Sequence, residues 1–203
     1  MILDHVLPTP SARITLTPPS EADDVAIAAL RCHPETRRYV RFLPEHFTPK
    51  EARDRRVARA TDTTLVDFTI HALDPEGRPT LAGSTGIFGI DDAFRACESG
   101  IVVAPECHRG GVATAALCAV LAYAFEARGM HRVTFMTTTD NVGMRGWLES
   151  AGAVLEGVQR AAWPDGAGGW TDACTYSILE EEWGAVKAGL EERIGRAEQR
   201  SGA

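Results

Sequence analysis

The stretch Ile101-Val-Val-Ala-Pro-Glu-Cys-His-Arg-Gly-Gly-Val-Ala-Thr-Ala-Ala-Leu117 constrains the fold more than any other part of this chain. An apolar, β-branched run ends at Pro105, a Gly-rich turn follows, and good helix formers come after it. Strand, turn and helix are therefore expected in that order. The turn His108-Arg109-Gly110-Gly111-Val112-Ala113-Thr114 puts glycines where the helix begins. Glycine lets the backbone approach a ligand closely and adopt dihedrals that other residues avoid. The first N–H groups of a helix lack partners within it, and the macrodipole adds partial positive charge there. Such a turn is a candidate anion site, with a phosphate as the expected occupant. A tight turn that merely lets the helix pack closely is the competing reading.

Known phosphate loops narrow the choice. A P-loop needs G-x-x-x-x-G-K-[ST], and no such Lys is present; the dinucleotide fingerprint G-x-G-x-x-G is also absent. What remains is a polar or basic residue followed by x-x-G-x-[G/A], read as His108-Arg109-Gly110-Gly111-Val112-Ala113. This resembles the pyrophosphate loop of the GCN5-related N-acetyltransferase (GNAT) family, which binds acetyl-CoA. That family usually carries Gln or Arg at the first position; His108 departs from this, while Arg109 supplies positive charge.

Further blocks follow in the family's order. Thr137-Thr-Thr-Asp-Asn141-Val-Gly-Met-Arg145-Gly-Trp147-Leu-Glu149-Ser-Ala-Gly152 is similar to its second block, a strand end followed by a helix. Asp140 is expected as the N-cap and Gly152 as the left-handed C-cap. By resemblance Asn141 touches the pantetheine arm or the loop holding it; a plain helix cap is the alternative. Trp163-Pro-Asp-Gly-Ala-Gly-Gly-Trp170 reads as a hairpin turn. Together with Asp172, Tyr176 and Glu182-Trp183 it is similar to the ending of the subgroup that acts on N-terminal amines of ribosomal proteins. Ser11–Pro18 and His33–Val40 are similar to that subgroup's first strand and the end of its first helix. The resemblance covers roughly residues 8–183.

Composition bounds the rest. The 203 residues are enough for one domain with a substantial core, which is expected over 1–183, with a helical tail over 184–203. No apolar run approaches the roughly 20 residues of a membrane helix, and Met-Ile-Leu-Asp-His-Val lacks the features of a secretion signal. Cys32, Cys97, Cys107, Cys118 and Cys174 form no C-x-x-C pair, and the six histidines lack ligand spacing. Reduced thiols, a cytoplasmic location and no metal are expected. The net charge of −7 argues against a nucleic-acid surface. It suits solubility first, and attraction of a cationic amine second.

Along the chain, strands are expected over 12–17, 64–72, 80–90, 97–104 and 133–138, with a late hairpin near 153–163 and 170–179. Ser20 is expected to cap a helix reaching Cys32. Thr48-Pro49-Lys-Glu51 opens another that carries Arg53, Arg55, Arg56 and Arg59, read as a solvated face. Asp74-Pro-Glu-Gly77 is a turn. Helices follow at 110–128, ending at Gly129, and at 183–200. This order implies an α/β or α+β sandwich. The resemblance implies a single domain with a mixed, mostly antiparallel central sheet flanked by helices. Its middle strands splay apart, so that the pantetheine arm pairs with the backbone of Ile101, Val102 and Val103.

By the same resemblance the reaction is acetyl transfer from a thioester to a primary amine in a ternary complex. The acceptor is a protein N-terminus or a small amine metabolite or antibiotic. The amine must lose a proton, the oxyanion needs a donor, and the leaving sulfur can use an acid. Glu98 is the candidate base; a solvent-facing strand residue is its other reading, proton removal through water is a second route, and Asp91 and Asp92 are alternates. The family's acid positions fall on Leu148 and Met144. Either thiolate leaves unaided, a water serves, or Tyr123 or Tyr176 reaches in. Cys97 and Cys107 flank the site but lack a base to activate them. Trp147, Trp163 and Trp170 line an acceptor pocket or pack structurally. A non-catalytic acyl-CoA-binding domain and an unrelated nucleotide binder using Gly110-Gly111 are the competing functions. A homodimer through the hairpin or terminal helix is an analogy.

Overall fold

A computed structural model describes residues 6–74 and 76–201. Part of the irregular lead-in read over 1–10, Pro75 of the Asp74 turn, and residues 202–203 of the terminal segment lie outside the described residues. The strands are β1 (Ile14–Thr17), β2 (Leu65–Leu73), β3 (Pro79–Asp91), β4 (Ala96–Val103), β5 (Arg132–Thr138), β6 (Val154–Pro164) and β7 (Trp170–Leu179). The helices are α1 (Asp24–Cys32), α2 (Pro34–Arg37), α3 (Pro49–Ala60), α4 (Val112–Ala122), α5 (Val142–Ala151) and α6 (Glu180–Ser201). The domain is α/β. Its single sheet runs β1-β2-β3-β4-β5-β7-β6, and every neighbouring pair is antiparallel except β4 and β5. That one parallel pair follows from the connection through α4, because parallel strands require a crossover.

The parallel pairing is short. It joins Ala96 to Arg132, Cys97 to Val133 and Glu98 to Thr134, and stops. Beyond it, β4 stays on β3 as far as Val103, paired with Gly83, and β5 stays on β7 as far as Thr138, paired with Ala173. The middle of the sheet therefore splays, as the resemblance implied.

Strand alternation sends two sets of side chains to opposite faces. Val66, Phe68 and Ile70 of β2, Ile87 of β3, Cys97 of β4, and Val133 and Phe135 of β5 belong to the buried core cluster with α4. Helix α4 is apolar nearly all round, Ala115 to Leu121 being buried without a break. That pattern marks a helix enclosed on both sides. Its outer side is closed by α6, which buries Trp183, Val186, Leu190 and Ile194 in the same cluster. The ring of Trp183 stacks on Phe125 at 5.4 Å, and its Nε1–H donates to Glu126 at 2.8 Å. Helix α6 starts at Glu180, earlier than the sequence suggested, because Glu182 reaches back to accept from the Leu179 N–H.

Other boundaries also differ. Ser20 donates its hydroxyl to Asp23 and makes no backbone cap; a 3₁₀ turn, Glu21–Asp23, precedes α1. Asn141, not Asp140, caps α5, since its Oδ1 accepts the Met144 N–H while Asp140 pairs with Arg41. Helix α4 begins at Val112 and passes into a π turn over Tyr123–Ala127. Gly152 closes α5 in the left-handed region, φ 94°, as expected. Thr48 and Glu51 form the reciprocal capping box of α3.

The largest correction concerns α3. Arg55, Arg56 and Arg59 do not form a solvated face; they turn inward over the polar side of the sheet. Arg59 clasps Asp67 of β2 with two bonds of 2.5 and 2.7 Å, and Arg56 clasps Asp24 of α1 with two of 2.9 and 2.8 Å. Charge-assisted bidentate pairs of this kind fix helices that have no apolar stripe to bury.

The Arg56 guanidinium holds the Asp24 carboxyl below the ordinary aspartate range. A depressed native pKa adds stability that is present above the unfolded value and is lost as pH falls through the native one. Asp24→Asn is expected to cost about 1–3 kcal/mol at neutral pH in urea unfolding. The gap from the parent should close in the acid range below about pH 4.

Candidate active site

Where β4 leaves β5, a cavity of about 1100 Å³ opens. This exceeds a drug-sized pocket, roughly 300–1,000 Å³, and leaves room for two reactants. Its first wall is the open side of β4. The Ala104 N–H bonds the Ala82 carbonyl on β3, and the Cys97 carbonyl accepts from Thr134 on β5. By alternation Val102 turns its amide toward β3, while Ile101 and Val103 turn theirs toward the gap. Of the three residues expected to hold a pantetheine arm through their backbone, two are thus placed to do so. Nε2 of His108 lies 3.2 Å from the Val103 carbonyl and shields it.

The second wall is the opening turn of α4. Arg109 and Gly111 both adopt left-handed backbone, φ 62° and 79°, which curls the loop under the helix. Left-handed backbone costs a non-glycine residue, and such strain gathers at binding loops. Ala115 is the first residue bonded within the helix, to the Gly111 carbonyl at 3.1 Å. The N–H groups of Gly111, Val112, Ala113 and Thr114 precede it and have no hydrogen-bond partner among the described residues. With His108 and Arg109 these residues line the cavity. Gly110 does not: its N–H is spent on the Cys107 carbonyl, so it shapes the turn without facing the gap. Trp147 of α5 pins this turn by donating Nε1–H to the Thr114 hydroxyl at 3.1 Å. Asn141 also reaches the cavity, but its amide caps α5 and donates to Thr137 at 2.9 Å. It ties α5 to the end of β5 first, and any ligand contact would share those groups.

Glu98 sits at the last paired position before the strands part, on the face shared by Phe88 and Gly100. It lines the cavity, and burial pushes its carboxyl above the ordinary range with no cation beside it to oppose the shift. A base poised nearer neutrality is better matched to its task. The alternates are elsewhere. The Asp91 carboxylate accepts from the Ala93 and Phe94 N–H groups, and Asp92 pairs with Arg128; neither lines the cavity. Both proposed tyrosines are displaced too. Tyr176 is fully buried, donating to Glu149 at 2.8 Å and accepting from Arg145, while Tyr123 packs edge-on against Phe68. Burial pushes the Cys97 thiol up to about 12 and raises Cys107, so neither supplies a thiolate. Of the tryptophans, Trp147 and Trp163 line the cavity, Trp163 held edge-on by Phe42 at 5.6 Å, and Trp170 stands in solvent.

Sequence reasoning missed the opposite end of the cavity. Arg31 and Arg55 line it near Asp67, with Thr69 and Ser84 further along the same sheet face. A signal existed: Asp67, Thr69 and Ser84 are the polar members of apolar strands, and they needed a polar cover. Among the described residues, no group of three or more His, Cys, Asp or Glu could hold a metal, and no helix is long and apolar enough to cross a membrane.

Comparison with known proteins agrees with this geometry. Residues 13–154 match the family model described as "Acetyltransferase (GNAT) domain". A Bacillus subtilis (strain 168) protein named "Putative ribosomal N-acetyltransferase YdaF" is 32% identical over 111 residues, 53% of this chain and 58% of the relative. The chain thus spans little more than half the length of that curated relative. Mycobacterium smegmatis RimJ in complex with CoA-disulfide shares the fold with a TM-score of 0.76 and 23% identity, over 95% of this chain and 94% of the other. Spermidine N-acetyltransferase from Vibrio cholerae, in complex with CoA and spermine, also has a TM-score of 0.76, with 20% identity over 85% of this chain and 99% of the other. The splayed strands, the unbonded opening turn of α4 and the family match over most of the chain place this protein in the GNAT acetyltransferase family.

Proposed function

We propose that this protein is an acetyl-CoA-dependent N-acetyltransferase that acts on a primary amine by direct transfer. One observation carries the reading: the free N–H turn of α4, the open backbone of β4 and the half-buried Glu98 face one cavity. The N–H groups of Gly111 to Thr114 and the Arg109 guanidinium are suited to a diphosphate. Ile101 and Val103 offer strand-like bonds to an amide-bearing arm. These two anchors direct the thioester end toward Glu98, where the strands diverge.

Glu98 then takes the proton that the amine must lose before it attacks the thioester carbon. The carbon–nitrogen bond forms, the carbon–sulfur bond breaks, and the electron pair leaves on sulfur. Leu148 is fully buried and the tyrosines Tyr123 and Tyr176 are engaged in the core, so neither Leu148 nor those hydroxyls protonate the sulfur. The protein's contribution is therefore positioning and one proton acceptor, which suits transfer with both reactants held together. No activated thiol is present at Cys97 or Cys107 to support a two-step route.

Gly111→Glu sets a carboxylate beside the anion turn and forces a side chain into left-handed backbone, although no atom lies within 4 Å of the new Cβ. Acetyl-CoA affinity, measured by calorimetry, is expected to fall by at least roughly tenfold, about 1.4 kcal/mol, with the fold retained. Unchanged affinity would remove the turn from the site. Glu98→Gln is expected to lower kcat/KM roughly 10²–10⁴-fold while acetyl-CoA binding stays intact. In the parent enzyme, kcat/KM should rise with pH through a value above the usual carboxylate range, because burial delays formation of the base. That limb should vanish in Glu98→Gln. Tight acetyl-CoA binding with no thiol release for any amine would favour a silent acyl-CoA-binding domain instead.

A further inference from the structure

The far end of the cavity holds more positive charge than the protein neutralises. Besides Glu98, four carboxylates line the cavity, and each has a basic partner: Asp24 with Arg56, Asp67 with Arg59, Asp23 with His71 at 2.9 Å, and Glu35 with Arg38 at 3.9 Å. Arg31 and Arg55 line the same region without a carboxylate partner among the described residues. The Nε of Arg31 is fully buried and unbonded, and its guanidinium is held 5.2 Å from the centre of the Phe47 ring. Burial lowers the pKa of both, Arg55 to about 10, and each is lowered further by a neighbouring guanidinium, while Asp67, already bonded to Arg59, opposes the shift only in part. Withdrawing two cations from water beside like charge, with one nearby carboxylate that is already paired to Arg59, is costly. It persists most economically where a ligand supplies the missing anion.

Sheet register locates this charge relative to Glu98. Asp67 pairs with Gly86, which pairs with Gly100, two residues along β4 from Glu98 and on the same face. Strand spacing puts the Cα atoms of Asp67 and Glu98 about 12 Å apart. Gly86 and Gly100 carry no side chains between them, and Phe88 borders the row. One end of this floor therefore attracts an amine and the other an anion.

Resting on the transferase reading above, we propose that the acceptor is a primary amine that also carries a carboxylate, and that Arg31 and Arg55 bind that carboxylate while Glu98 receives the amine. The amine and carboxylate are several bonds apart, as in an ω-amino acid or an N-terminal residue followed by an acidic side chain. A polyamine, cationic along its length, meets two unpaired guanidiniums and is a poor fit. Arg31 and Arg55 determine specificity; Arg56 and Arg59, already paired, hold the helices.

Two measurements on the full chain test this. The first melts the CoA-bound protein with and without glutarate, a dicarboxylate with no amine. Glutarate should raise the melting temperature of the parent and leave Arg31→Gln and Arg55→Gln unmoved; no shift in the parent overturns the proposal. The second follows thiol release with matched acceptors: γ-aminobutyrate against its amide, and Ser-Glu-Ala-amide against Ser-Gln-Ala-amide. A preference for the acid of roughly ten- to hundredfold in kcat/KM, in either arm, supports the proposal and shows which source of carboxylate is used. That preference should collapse in Arg55→Gln through KM, with acetyl-CoA affinity unchanged. Equal turnover of acid and amide in both arms overturns it. If none of these amines turns over, the glutarate result alone decides. Failure of the parent to bind acetyl-CoA would instead strike the transferase reading, with the glutarate result still separate.

Discussion

The whole arrangement depends on two parallel strands parting after only three paired positions. A sheet that stayed zipped from β1 to β6 would satisfy all its backbone groups and offer no cleft. Here the core on one face, built on α4 and α6, is continuous enough to hold the two halves of the sheet while the other face opens. The parting leaves β4 with unsatisfied amides at Ile101 and Val103, and it puts Glu98 at the fork. The same crossover that makes the pair parallel delivers the opening turn of α4 to the mouth of the gap. One topological decision thus creates the cavity and brings to it both the unbonded turn and Glu98.

Charge is distributed along the cavity in an ordered way. Glu98 is isolated from cations, so burial works against its ionised form. Toward β2, Arg31 and Arg55 have no salt-bridge partner among the described residues, and burial outweighs the pull of Asp67, which is bonded to Arg59. The low-dielectric walls that weaken each charged form also strengthen its attraction for a ligand of opposite sign. The paired arginines, Arg56 and Arg59, have the ordinary work of fastening α1, α3 and the sheet together.

Much of this was legible along the chain. The β-branched run into Gly110-Gly111, the Thr48–Glu51 box and the glycines after α4 and α5 are local signals, decided by dihedral freedom and by orphan backbone groups within a few residues. Ordered blocks pointed to the family for the same reason. Errors of one or a few residues arose where two local candidates competed, as at Asp140 and Asn141: the winner was the one not drawn away by a distant partner, and Arg41 claimed Asp140. The reading of α3 failed for a different reason. Inward faces are recognised by apolar residues, and α3 buries only Ala52 among them. Its inward face is basic because the sheet beneath it is acidic and polar, a fact about β2 that α3 cannot display.

The amino-acid sequence by itself determined the strand-turn-helix with its unbonded opening turn, the order of elements and the position of Glu98 at the head of β4, because each follows from propensity and spacing over short distances. Only the tertiary structure decided that Val102 faces β3 while its neighbours face the gap, that Asp91, Asp92, Tyr123 and Tyr176 stand away from the chemistry, and that Arg31 and Arg55 share a cavity with Glu98. Those outcomes depend on which residues become neighbours across strands and helices far apart in the chain, and on how much water is left around them when they do.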